Sequence, residues 1–164
     1  MTEYPLQELA LIKQKRMEEA EKVLREKKLA LEKEEEKLGK IQEERNKVKV
    51  HKDDKLAQLR ETLDKGSTSD KIQQMKQYLK VVDERLKIAD KKVKDQEKVV
   101  TASEAAVKAA REDLFKKQQD VEKLDIHRKE WEKEMRYLEL QEEGRLTDEM
   151  GSTIHHIKKR KKHG

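Results

Sequence analysis

"LDKGSTSDKI", Leu63 to Ile72, is the one stretch where this chain stops and starts again. On both sides run long segments of Lys, Glu, Gln, Leu, Val and Ala. Gly66 can take the left-handed conformation that ends a helix. Ser67, Thr68 and Ser69 can each cap the next one, and Ser67 with Asp70 resembles a capping box with the shorter acid. Stop and start signals lie one residue apart, so the turn is very short. A short turn between two long helices makes them antiparallel neighbours.

The flanks carry the matching period. From Ile72 to Leu138 seam residues recur at alternating steps of three and four, and only Gln96, Ser103, Lys117 and Arg128 are polar. An average step of 3.5 residues describes a left-handed coiled coil. The first half, from Met17 to Leu63, keeps the same alternation with Lys27, Glu34, Arg45 and Lys52 on the seam. One step of four is repeated at Lys52 to Leu56, a stutter that locally relaxes the supercoil. Five alanines in "TASEAAVKAAR", Thr101 to Arg111, narrow the second helix and favour close packing. The expected fold is all-α, a long antiparallel two-helix coiled-coil hairpin, monomeric because each chain supplies both helices.

Boundaries follow from the breakers. Helix one is expected over residues 5–65, with Pro5 in its first turn, where the missing N–H costs nothing. The tip turn spans 66–69. Helix two runs over 70–144 and outlasts helix one, so folding at Gly66 brings Trp131 near Tyr4 to Leu6. Residues 145–164, with Gly151 and a charge run, read as a flexible basic tail.

Composition narrows the function. Charged residues make up 47% of the 164 and aromatics 3%, too little apolar material for a compact globule of this size. There is no apolar run of the length that crosses a membrane and no secretory leader pattern, so neither membrane insertion nor export by a signal peptide is expected. The absence of cysteine excludes disulfides and thiolate chemistry. The net charge is +5, and Lys158, Lys159, Arg160, Lys161 and Lys162 account for it; the remainder is balanced. A neutral body with a basic tail argues against nucleic acid as the main partner.

No catalytic constellation is present, and no enzyme activity, cofactor or metal is expected. "KGSTSDK" lacks the first glycine, the Gly-Lys-Ser/Thr ending and the preceding strand of a phosphate loop. Acidic runs such as "EKEEEK" are solvated helix faces. His51 and His127 read as isolated residues on charged helices, and His155, His156 and His163 as unsupported by any regular element. The distinctive side chains sit elsewhere. Trp131 is the single tryptophan, on the seam where the hairpin opens. Met75, Lys76, Tyr78 and Leu79 crowd the first turns of helix two. Ile72, Met75 and Leu79 serve the seam, whereas Lys76 and Tyr78 lie off it.

Four segments in order, "YPLQELALIK", "LRETLDKGSTSDKIQQMKQYLKVV", "HRKEWEKE" and "DEMG", make the chain resemble the YscO/FliJ-like stalk proteins of type III secretion, in their chlamydial form. The resemblance spans the whole chain. It implies a cytoplasmic stalk, peripheral at the base of the secretion apparatus, whose partners are the hexameric secretion ATPase, the export-gate protein and export chaperones. It places the export gate at the tip, where Ile72, Lys76, Leu79 and Asp83 match by position and Met75 and Tyr78 join them. The ATPase falls to the open end, with Tyr4, Trp131 and Lys158 to Lys162. Two other readings of the residues are a nucleic-acid-binding coiled coil acting through its basic tail and a generic parallel coiled-coil scaffold without the turn.

Overall fold

The computed structural model describes residues 2–163. They form two helices and, among the described residues, no strand: α1 is Gln7–Lys65 and α2 is Ser69–His163. The structure divides into two units. One comprises Ala20–Leu114; the other pairs Met1–Glu19 with Phe115–Gly164.

The unit Ala20–Leu114 contains the reversal. Gly66 has φ 79°, the left-handed conformation that closes α1, and among the described residues no non-glycine residue shares a positive φ. The Ile72 amide donates to the Thr68 carbonyl at 3.2 Å, the first turn of α2. Thr68 is therefore the N-cap, one residue beyond Ser67, and the expected Ser67–Asp70 pair is out of step with the helix by that residue. Asp70 still lies in the first turn, where its charge suits the helix dipole.

The two helices of this unit pair antiparallel along the expected seam. Val82 is fully enclosed, and Ala20, Leu59, Val100, Val107 and Ala110 are buried. On α1 only Lys27 and Leu63 of the expected seam are exposed. At the stutter His51, Lys52, Lys55 and Leu56 are all half-buried, so the contact face widens where two registers meet.

Charged seam residues are accommodated by partners on the opposite helix. Lys52 Nζ donates to Asp83 Oδ1 at 2.6 Å and Arg45 Nε to Asp90 Oδ1 at 2.6 Å. Gln96 Nε2 bonds both the Glu34 carboxylate, at 2.6 Å, and the Glu34 carbonyl, at 3.0 Å. A half-buried polar group needs such a partner to avoid a desolvation cost. As the α1 member advances from Glu34 to Arg45 to Lys52, the α2 member retreats from Gln96 to Asp90 to Asp83, as in an antiparallel pair.

In the other unit the chain enters α1 through a turn. Gln7 N donates to Tyr4 O at 3.1 Å, and Ala10 N to Leu6 O at 2.9 Å. Pro5 occupies the second position of that turn, which its fixed φ favours, and not the first helical turn. Lys13 and Asp120 form an ion pair at 3.4 Å between α2 and the first turns of α1. Within α2, Val121, Leu124, Trp131 and Met135 are half-buried, while Arg128 and Leu138 are exposed.

The expected end of helix two near Gly144 is not observed. α2 continues to His163, so the segment read as a tail is helical up to that residue. Each glycine costs a helix roughly 1 kcal/mol. Gln141, Glu142, Glu143, Arg145 and Leu146 around Gly144 are strong helix formers and no proline follows; Gly151 has weaker formers after it, and the Thr147 and Thr153 hydroxyls donate to the Glu143 and Glu149 carbonyls within the continuing helix.

Candidate interaction surfaces

The turn end of unit Ala20–Leu114 carries the expected tip residues on two flanks of α2. Ile72, Lys76, Leu79 and Asp83 follow one another at helical spacing on one flank. Lys71, Gln74, Met75 and Tyr78 form the other, and with Lys55 and Gln58 of α1 they line a shallow groove of about 340 Å³. Tyr78 is 39% exposed, yet it is held from both sides. Its hydroxyl and His51 Nε2 are 2.8 Å apart, the two rings meet edge to face, and the Lys55 ammonium lies 5.7 Å from the ring centre. His51 is thus a cross-helix partner, contrary to its expected isolation. Sequence spacing could have hinted at this, since His51 borders the stutter.

Ile72, Met75 and Leu79 are half-buried in the seam and Lys76 is exposed. Asp83 is held in ion pairs with Lys52 and Lys87. Lys52, hydrogen-bonded to it, and then Lys87 hold its carboxyl below the ordinary 3.8.

The terminal unit builds its surface around Tyr4, which is 5% exposed. The Trp131 ring stands edge-on to it at 5.3 Å, as the folding-back of the chain requires. The His127 ring lies on it at 5.8 Å and the Arg128 guanidinium over its face at 5.8 Å. His127, like His51, is therefore partnered. Around this cluster a cleft of about 520 Å³ opens between the N-terminal segment and α2, with Gln7, Trp131, Met135 and Arg136 among its walls. Gln7 Oε1 is enclosed there without a hydrogen-bond partner.

Lys158, Lys159, Arg160, Lys161 and Lys162 lie exposed on the last turns of α2, apart from the Tyr4 cluster. His155 and His156 precede them with ring centres 6.4 Å apart. Among the described residues no group of three or more His, Asp or Glu side chains is placed to hold a metal ion, and no helix is long and apolar enough to cross a membrane.

Such a fold, with its distinctive side chains at the turn and around the N-terminus, defines an antiparallel two-helix coiled coil. The chain belongs to the YscO-like protein family, whose model matches residues 1–161. With that membership comes a role in type III secretion. Its structure is similar to that of a YscO homolog, CT670, from Chlamydia trachomatis. The two share 42% identity over 98% of this chain and 99% of the other, with a TM-score of 0.93. It also matches a chain of the Chlamydia pneumoniae CdsV and CdsO protein complex at 46% identity, over 49% of this chain and 96% of that one, with a TM-score of 0.47. No curated protein gives a significant match.

Proposed function

We propose that the protein is a non-enzymatic, cytoplasmic stalk at the base of a type III secretion apparatus. In this reading it links the hexameric secretion ATPase to the export-gate protein, with export chaperones as further partners. The turn end meets the export gate through Lys76 and Tyr78. Ile72, Met75 and Leu79 shape that surface from the seam, and Asp83 braces it through Lys52. The terminal unit, with Tyr4, Trp131 and the basic run Lys158 to Lys162, meets the ATPase.

The observation that carries the reading is the tip groove. A coiled coil needs nothing at its turn beyond a short polar loop. Here an aromatic ring is oriented by His51 and Lys55 and left partly exposed. Oriented, partly exposed aromatics are favoured anchors in protein interfaces because little entropy is lost when they are covered.

The test is a pull-down of the full chain against the purified export gate and the purified ATPase. Lys76→Glu with Tyr78→Ala should weaken gate binding and leave ATPase binding and helicity unchanged. Deleting Lys158 to Lys162 should do the reverse. Wild-type gate binding by the tip variant would refute the assignment of that end.

A further inference from the structure

The last turns of α2 carry an apolar stripe that the hairpin does not use. From Arg136 to Lys162 every residue is exposed. Continued past Leu138, the seam would meet Glu142, Arg145, Glu149, Ser152 and His156, which are all polar. The apolar residues stand elsewhere. Met150, Ile154 and Ile157 follow Leu140 and Thr147 at steps of three, four and seven, a seam of their own roughly opposite the first. Met150 is 68%, Ile154 54% and Ile157 50% exposed. Tyr137, Leu138 and Leu146 are exposed off this stripe and, taken singly, need no partner, but apolar residues repeated at heptad spacing make a face that another helix can cover.

Charge identifies that helix. Glu142, Glu143, Asp148 and Glu149 make the first part of the segment acidic, and Lys158 to Lys162 make the last part basic. A parallel copy would set like charges side by side. An antiparallel copy would set Glu142 and Glu143 against Lys162 and Lys161 at both ends, with Asp148 and Glu149 beside the histidines His156 and His155 and one like-charged pair, Arg145 and Lys159. With a two-fold axis at the level of Ser152, Met150 meets Ile154 of the second copy and Thr147 meets Ile157. Glu143 then faces Lys161 at each end of the apolar block. Gly144 and Gly151 flank the stripe, and open space lies where a Cβ would stand, so a second backbone can come close.

We propose that this protein self-associates through residues 143–161 of α2, two copies pairing antiparallel with Glu143 against Lys161. The hairpin of each chain stays intact, because the seam it uses lies on the other side of the helix. The inference does not depend on the assignment of the ATPase or the gate.

Sedimentation equilibrium of the full chain, from micromolar to several hundred micromolar, tests it. Wild type should pass from one 19.5 kDa chain to two as concentration rises. Glu143→Lys alone and Lys161→Glu alone should each weaken association roughly tenfold, since both symmetry-related pairs become repulsive. An equimolar mixture of the two variants should regain it, because the mixed pair restores both contacts. These residues are exposed, and circular dichroism should show unchanged helicity. A wild-type chain that stays single throughout overturns the proposal and leaves the stripe to a different protein. Single variants that associate like wild type, or a mixture that does not recover, overturn it equally.

Discussion

Tyr4 and His127 stand 123 residues apart in sequence, and their Oη and Nδ1 atoms are 2.5 Å apart. Together with the Trp131 ring this contact holds the N-terminal segment against α2 before α1 begins. It is a long-range closure made by three aromatic rings in a protein that has few.

The closure should be energetically visible. Trp131 is half-buried, so Trp131→Ala should cost about 2 kcal/mol, less than a fully enclosed tryptophan. Tyr4→Phe keeps the ring and loses only the bond to His127, for about 1 kcal/mol or less. Urea unfolding followed by circular dichroism gives both values. The wild-type tryptophan emission should lie to the blue of free tryptophan and move red in Tyr4→Ala.

Two glycines should respond with opposite signs. Gly66 needs its positive φ, so Gly66→Ala should destabilise the hairpin by about 1 kcal/mol through backbone strain, since nothing crowds the site. Gly39 lies within α1, also in open space, and Gly39→Ala should stabilise by about 1 kcal/mol through helix propensity. Thermal melts of the two variants beside wild type decide the matter.

Asp83 gives a pH signature. Its carboxyl titrates below the ordinary 3.8 because Lys52 and Lys87 favour the charged form. A folded pKa depressed below the unfolded one adds stability above the unfolded value, and that stability disappears as pH falls through the folded one. Asp83→Asn should therefore be less stable than wild type at pH 5 and above. The gap should narrow below pH ~3.8 and close once wild-type Asp83 is protonated. A gap that persists unchanged at pH 2 would mean that the carboxylate charge is not what links Asp83 to Lys52.

The tip assignment separates ring from hydroxyl. Tyr78→Phe loses the His51 bond, worth about 0.5 kcal/mol at this partly exposed site, and should bind the export gate like wild type. Tyr78→Ala removes the anchor and should lose most of the binding. Surface plasmon resonance against the immobilised gate distinguishes the two. Equal losses in both would point to the hydroxyl and its partner His51 as the recognised group.

The helices, their antiparallel pairing and the turn at Gly66 were legible in the sequence. Each depends on local rules: a three-four period, a residue that tolerates positive φ, and caps beside it. The neighbourhood of Trp131 and Tyr4 was legible too, because a constant rise per residue converts the turn position into an approximate pairing. The exact caps were not, since Ser67, Thr68 and Ser69 are chemically equivalent and only the geometry of the reversal selects Thr68. The end of α2 was missed because Gly144 and Gly151 suggest a stop, whereas a glycine costs a helix only roughly 1 kcal/mol and no proline follows either one.

Other features came from tertiary structure alone. Which face of α2 meets α1 decides that His51 reaches Tyr78, that His127 reaches Tyr4, and that Asp83 pairs with Lys52 across the helices. These pairings depend on side-chain direction across two helices, a quantity that a one-dimensional period does not contain. Periodicity determined that the chain would form a coiled coil. The packing of one helix on the other decided which of its polar side chains were used up in holding that coil together and which remained exposed, at the turn and along the last turns of α2.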